Sequence, residues 1–91
     1  MIGEHIRALR EANDILLRQL AAKLDMDQAM LSKMERGERA FRKEDIDTLA
    51  KIFKQSKKEL LTLWLADKIL KATENERYKK EALIKAMDQI N

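Results

Sequence analysis

The stretch from Leu17 to Gly37, LRQLAAKLDMDQAMLSKMERG, constrains the fold of this chain more than any other. Leu17, Leu20, Ala21 and Leu24 fall at i, i+3, i+4 and i+7, so they share one face of a helix. Asp25-Met26-Asp27 interrupts that run. Asp27 is placed to cap a second helix, because its carboxylate can accept free N–H groups of the following turn. Leu31 and Met34 then form a shorter apolar stripe, which ends at Arg36-Gly37. The spacing predicts two short helices joined by a turn of roughly three or four residues.

Two helices joined in this way form a helix-turn-helix. The face of the second helix that Leu31 and Met34 leave free carries Gln28, Ala29, Ser32 and Lys33. Small, polar and cationic groups in that arrangement suit base edges in a major groove. Val and Pro are absent and Gly occurs twice, which leaves little material for strands and tight turns and favours an all-α chain.

Ile2–Leu61 resembles the XRE-type helix-turn-helix domain of the phage repressor and Cro superfamily. The residues that carry the likeness are Ile6-Arg7 and Leu9-Arg10 in a first helix and Leu20-Ala21 with Lys23-Leu24 in a second. In the third they are Leu31-Ser32-Lys33-Met34-Glu35-Arg36-Gly37. The resemblance implies a repressor-like fold of five helices, with double-stranded DNA as the partner. It also implies a homodimer that reads two related half-sites. In that family the positions of Arg10 and Glu35 form a buried ion pair between the first and third helices; the bland alternative is two solvated charges. The family usually has a Ser or Thr cap followed by Gln where this chain has Leu16 and Leu17. Arg18 and Gln19 are the nearest substitutes for the missing phosphate contact. It usually has Gly where Asp25 stands, and Asp tolerates the left-handed conformation better than most residues.

The rest of the chain extends the helical pattern. Ile2, Ile6, Leu9 and Ala12 or Asn13 mark the first helix over Ile2–Ala12, and Asn13-Asp14 is a turn signal. Glu38–Lys43 reads as a loop, with Arg36, Arg39, Arg42 and Lys43 crowded at a position suited to phosphates. Without a partner it would be a solvated basic edge. Phe41 packs under that loop on this reading. Ile46, Leu49, Ala50 and Phe53 give a fourth helix, roughly Lys43–Lys54. Ser56-Lys57-Lys58-Glu59 has the form of a capping box and starts a fifth, from Lys57 to about Ala72. Thr73-Glu74-Asn75-Glu76 has the same form and predicts a sixth helix to about Gln89, with Tyr78, Ala82, Leu83, Ala86, Met87 and Ile90 as its apolar positions.

The fold expected is therefore a repressor-like five-helix domain over residues 1–72 with an added C-terminal helix within 73–91. The fifth helix carries more apolar surface than one core face uses. Leu60, Leu61 and Trp64 close the core. Leu63, Leu65, Ile69 and Leu70 then need another cover, with Leu83 and Met87 as partners from the sixth helix. A twofold dimer supplies that cover; the alternative is a sixth helix folded back within one chain.

Composition narrows the function classes. The chain has 91 residues, 38% of them charged, and a net charge of +3, a mild bias compatible with nucleic acid. Cysteine is absent, so there is no disulfide framework and no thiolate zinc site. No apolar run is long enough to cross a membrane, and the N-terminus lacks a signal-peptide pattern, so a cytoplasmic protein is expected. His5 is the only histidine and reads as a surface residue. There is no Gly-rich phosphate loop, nucleophile elbow or metal-ligand cluster, so neither an enzyme nor a cofactor is expected. Met26, Met34 and Met87 read as packing residues, and Met30 as partly exposed beside a thymine methyl.

The leading reading is a sequence-specific, homodimeric DNA-binding regulator. Restriction–modification controllers, phage-type repressors and antitoxins that repress their own operons all fit the size. The alternative is an antitoxin or interaction module that keeps the fold and binds a protein through helices five and six.

Overall fold

Six α-helices carry the chain: α1 (Ile2–Ala12), α2 (Leu17–Lys23), α3 (Gln28–Glu35), α4 (Lys43–Phe53), α5 (Lys57–Thr73) and α6 (Lys79–Met87). The computed structural model describes residues 1–90, and no strand occurs among them. The fold is all-α, a helix-turn-helix domain with an extra C-terminal helix.

The helix ends follow from local chemistry. At the end of α1 the Ile15 N–H donates to the Arg10 carbonyl at 3.0 Å and the Asp14 N–H to the Glu11 carbonyl at 3.1 Å. At the end of α2, Met26 donates to Ala21 at 3.0 Å and Asp25 to Ala22 at 3.1 Å. At the end of α3, Glu38 donates to Lys33 at 2.9 Å and Gly37 to Met34 at 3.2 Å. Each is a pair of back-reaching bonds around a left-handed residue, which satisfies the last carbonyls of the helix. Those residues are Asp14 (φ 53°), Asp25 (φ 54°) and Gly37 (φ 78°). Asp25 thus performs in the turn the job that glycine does elsewhere, and Lys54 (φ 53°) repeats it after α4.

The starts are less regular. The Asp27 carboxylate accepts the Met30 N–H at 2.7 Å and caps α3. Leu16 supplies no side-chain cap to α2, but Gln19 Oε1 accepts the Leu16 N–H at 2.8 Å, so half of a capping box survives. Ser56 Oγ likewise accepts the Glu59 N–H at 3.2 Å to begin α5.

Ile6, Leu20, Leu31, Ile46, Leu49 and Leu60 are fully buried and come from α1 to α5, joined by Phe41 from the α3–α4 connection. Leu61 and Trp64 pack half-buried at the edge of this core. Helix α1 lies directly against α3 at Gly3: a Cβ there would stand 2.5 Å from the Met34 carbonyl oxygen and 2.6 Å from that of Glu35. Polar contacts also tie α5 to the rest, among them Lys57 with Asp47 of α4 at 3.3 Å. The Trp64 indole N–H donates to the Phe41 carbonyl at 2.7 Å, and Asp67 Oδ2 accepts the Ile2 N–H at 2.8 Å.

The C-terminal third departs from expectation at Thr73 and at Met87. Thr73 does not cap a sixth helix. It is the last residue of α5, and its hydroxyl donates back to the Ile69 carbonyl at 2.8 Å. Residues 74–78 form a turn and α6 begins only at Lys79. The apolar run of α5 carries the helix through Thr73, and a threonine inside a helix satisfies its hydroxyl on the preceding turn. Helix α6 buries no residue. Leu65, Ile69 and Leu70 remain 52%, 47% and 50% exposed, so α6 does not cover them. Met87, placed by its spacing among packing residues, is 68% exposed, while Leu63 and Leu83 are half-buried. The radius of gyration is 14.8 Å, against about 12 Å for a compact chain of this length.

Candidate nucleic-acid interface

Helix α3 is held by its inward face. Leu31, Met34 and Glu35 are buried there. Glu35 is a charge in a core and needs a partner, since an unpaired buried carboxylate is costly. Arg10 supplies it: Nε donates to Oε2 at 2.8 Å and Nη2 to Oε1 at 3.1 Å, a two-pronged geometry. Arg10 Nη1 also donates to the Ile15 carbonyl at 3.0 Å. The Glu35 hydrogen bond holds the Arg10 guanidinium above its ordinary pKa. The end of α3 is thereby fixed to α1 and to the loop before α2.

The opposite face of α3 is open. Gln28, Ala29 and Lys33 are exposed and Ser32 is half-buried. Met30 is partly exposed, with the rest of its side chain packed against the core. The cations that the sequence singles out lie on α2, the α3–α4 connection and α4. Arg18 and Gln19 are exposed on the first turn of α2, Arg39 lies exposed in the α3–α4 connection, and Lys43 is exposed at the start of α4. Among the described residues, Arg18, Lys33, Arg39 and Lys43 have no carboxylate within ion-pair distance.

Two other cations are already engaged. Arg42 pairs with Asp45 at 3.1 Å, and the Asp45 carboxylate, itself buried, also accepts the Arg42 N–H at 2.9 Å to cap α4. The hydrogen bonds that its guanidinium donates to Asp45 raise the Arg42 pKa, and Asp45, Glu44 and Asp25 add attraction. Arg36 donates from Nε to Glu38 and from Nη1 to Ser32 Oγ. The same hydrogen bond raises the Arg36 pKa and holds the Glu38 carboxyl below the usual carboxylate range. Sequence spacing places Arg36 and Arg42 among the phosphate contacts but does not reveal these carboxylates. The signal was the acid two or three residues on, Glu38 or Asp45.

A second feature borders the site. A groove of about 920 Å³ runs between the α3–α4 connection and the second half of α5, lined in part by Met34, Arg39, Trp64, Leu70 and Leu83. Lys68 lies over the Trp64 ring, 4.5 Å from its centroid. Among the described residues no group of three or more acidic, His or Cys side chains is arranged to hold a metal, and no helix is long and apolar enough to cross a membrane.

The family model described as helix-turn-helix matches residues 6–60, which takes in α1 through the start of α5. No curated protein and no solved structure matches the chain.

Proposed function

We propose that this chain, which belongs to the XRE-type helix-turn-helix family of non-catalytic DNA-binding domains, acts as a homodimeric, sequence-specific transcriptional regulator. The reading is supported by the exposed face of α3 and by exposed cations on α2, α3, the α3–α4 connection and α4 that, among the described residues, have no carboxylate within ion-pair distance. On it, Gln28 and Lys33 read base edges with Ala29 and Ser32 beside them. Glutamine can pair with adenine and lysine can donate to guanine, each worth about 1–3 kcal/mol of discrimination. Arg18, Arg39 and Lys43 hold phosphates, with Gln19 reinforcing the first turn of α2. Arg36 and Arg42 join them only on release from Glu38 and Asp45.

Pairing of two chains follows from the uncovered apolar surface of α5 and α6. Leu63, Leu65, Ile69 and Leu70, with Leu83 and Met87, form the twofold contact. Burying such surface is worth about 25 cal/mol per Å². Two recognition helices about 34 Å apart then reach successive major grooves. A controller of a restriction–modification operon or an operon autoregulator fits this arrangement.

A second reading is favoured by the groove beside α5: a protein partner, such as a toxin, occupies it and the DNA face is secondary. Substitution separates the two. Gln28→Ala relaxes preference at one operator position, and Arg39→Ala weakens every sequence alike. If neither changes affinity for a selected genomic fragment, the DNA face is misassigned.

A further inference from the structure

Arg36 and Glu38 flank Gly37, whose φ of 78° turns the chain back over the end of α3. The Glu38 N–H is fixed to the Lys33 carbonyl at 2.9 Å, which places the residue beside the same helical turn. Arg36 meets its carboxylate from Nε, while Nη1 donates to Ser32 Oγ. Ser32 and Arg36 stand one helical turn apart, so the guanidinium lies back along α3 from the helix end. Both charged side chains remain about half exposed, at 52% and 54%. A carboxylate and a phosphate oxygen make the same demand on an arginine fork.

We propose that Glu38 is an intramolecular stand-in for DNA phosphate, which keeps Arg36 out of non-specific complexes and yields it only when α3 docks closely. The proposal rests on the reading of α3 as the DNA-facing helix. Glu38 therefore lowers affinity for random DNA and improves discrimination in favour of the operator. Asp45 does not play the same part for Arg42. It is buried and caps α4, so its hold is structural, whereas Glu38 is exposed and free to swing away.

The test is the salt dependence of binding to a random-sequence duplex, followed by fluorescence anisotropy. Each phosphate neutralised contributes a slope of about −0.9 in log K against log salt. Glu38→Gln is expected to steepen the slope by about that amount. It should also tighten binding about two- to five-fold near 0.1 M salt, the scale of one exposed ion pair. In the Glu38→Gln/Arg36→Gln double variant both gains vanish. An unchanged slope in Glu38→Gln overturns the proposal, and so does a gain that persists in the double variant, which would mean general charge repulsion rather than release of Arg36. Arg39→Ala is measured alongside. If it flattens the slope while Glu38→Gln does nothing, the DNA face stands and the Glu38 role falls. If the wild-type chain binds no duplex, the reading of α3 itself falls, and the proposal with it.

Discussion

Arg10 and Glu35, twenty-five positions apart, meet through two hydrogen bonds of 2.8 and 3.1 Å, and the Glu35 side chain is 5% exposed. The pair joins the first helix to the end of α3. Both charges lose hydration there, so attraction and desolvation nearly cancel, and removing one partner strands the other. Arg10→Ala is expected to cost about 3–5 kcal/mol in urea unfolding. Arg10→Met with Glu35→Leu is expected to recover most of that loss. A small effect of Arg10→Ala alone would show that water reaches the carboxylate.

Gly3 sets how closely α1 approaches α3. The atoms a Cβ would meet are backbone carbonyls at 2.5 and 2.6 Å, which cannot rotate away as a side chain can. Gly3→Ala is expected to destabilise the fold by about 1–3 kcal/mol, as overpacking does. Its intrinsic gain in helix propensity, about 1 kcal/mol, works in the other direction and is the smaller effect here. Thermal unfolding by circular dichroism reads the balance, and an unchanged or raised midpoint would contradict it.

Much of the fold is legible because it is local. The apolar spacing of Ile2, Ile6 and Leu9 marks α1, Asp27 announces α3, and the tolerance of Asp25 for the left-handed region keeps the turn without glycine. Phe41 reads as a residue under the loop and is 2% exposed. What escapes depends on where the chain returns in space. No spacing rule marks Gly3 as the point where two helices touch. None links Asp67 to the N–H of Ile2, sixty-five positions away. Arg36 and Arg42 look like free cations in a basic loop until the turns around Gly37 and into α4 bring Glu38 and Asp45 onto them. Thr73 misleads for a related reason. The same four letters that begin a helix also end one when an apolar run precedes them, and the hydroxyl then bonds backward.

The uncovered face of α5 yields a prediction about assembly. At micromolar concentration the chain is expected to sediment as a dimer. Leu65→Asp with Ile69→Asp is expected to give a monomer, because a buried carboxylate pair opposes the association it would sit in. Operator affinity should fall with it, since each half-site is then held alone. A wild-type chain that sediments as a monomer, with DNA affinity untouched by the two substitutions, would remove the twofold arrangement.

On the proposed function, the open face of α3 and the cations of α2, the α3–α4 connection and α4 bind duplex DNA. The most direct measurement is the slope of log K against log salt for the wild-type chain on its selected genomic site. With Arg18, Arg39 and Lys43 each neutralising a phosphate, the expected slope is about −3 per protomer. A slope near zero, or no binding at low salt, would contradict the assignment of this face.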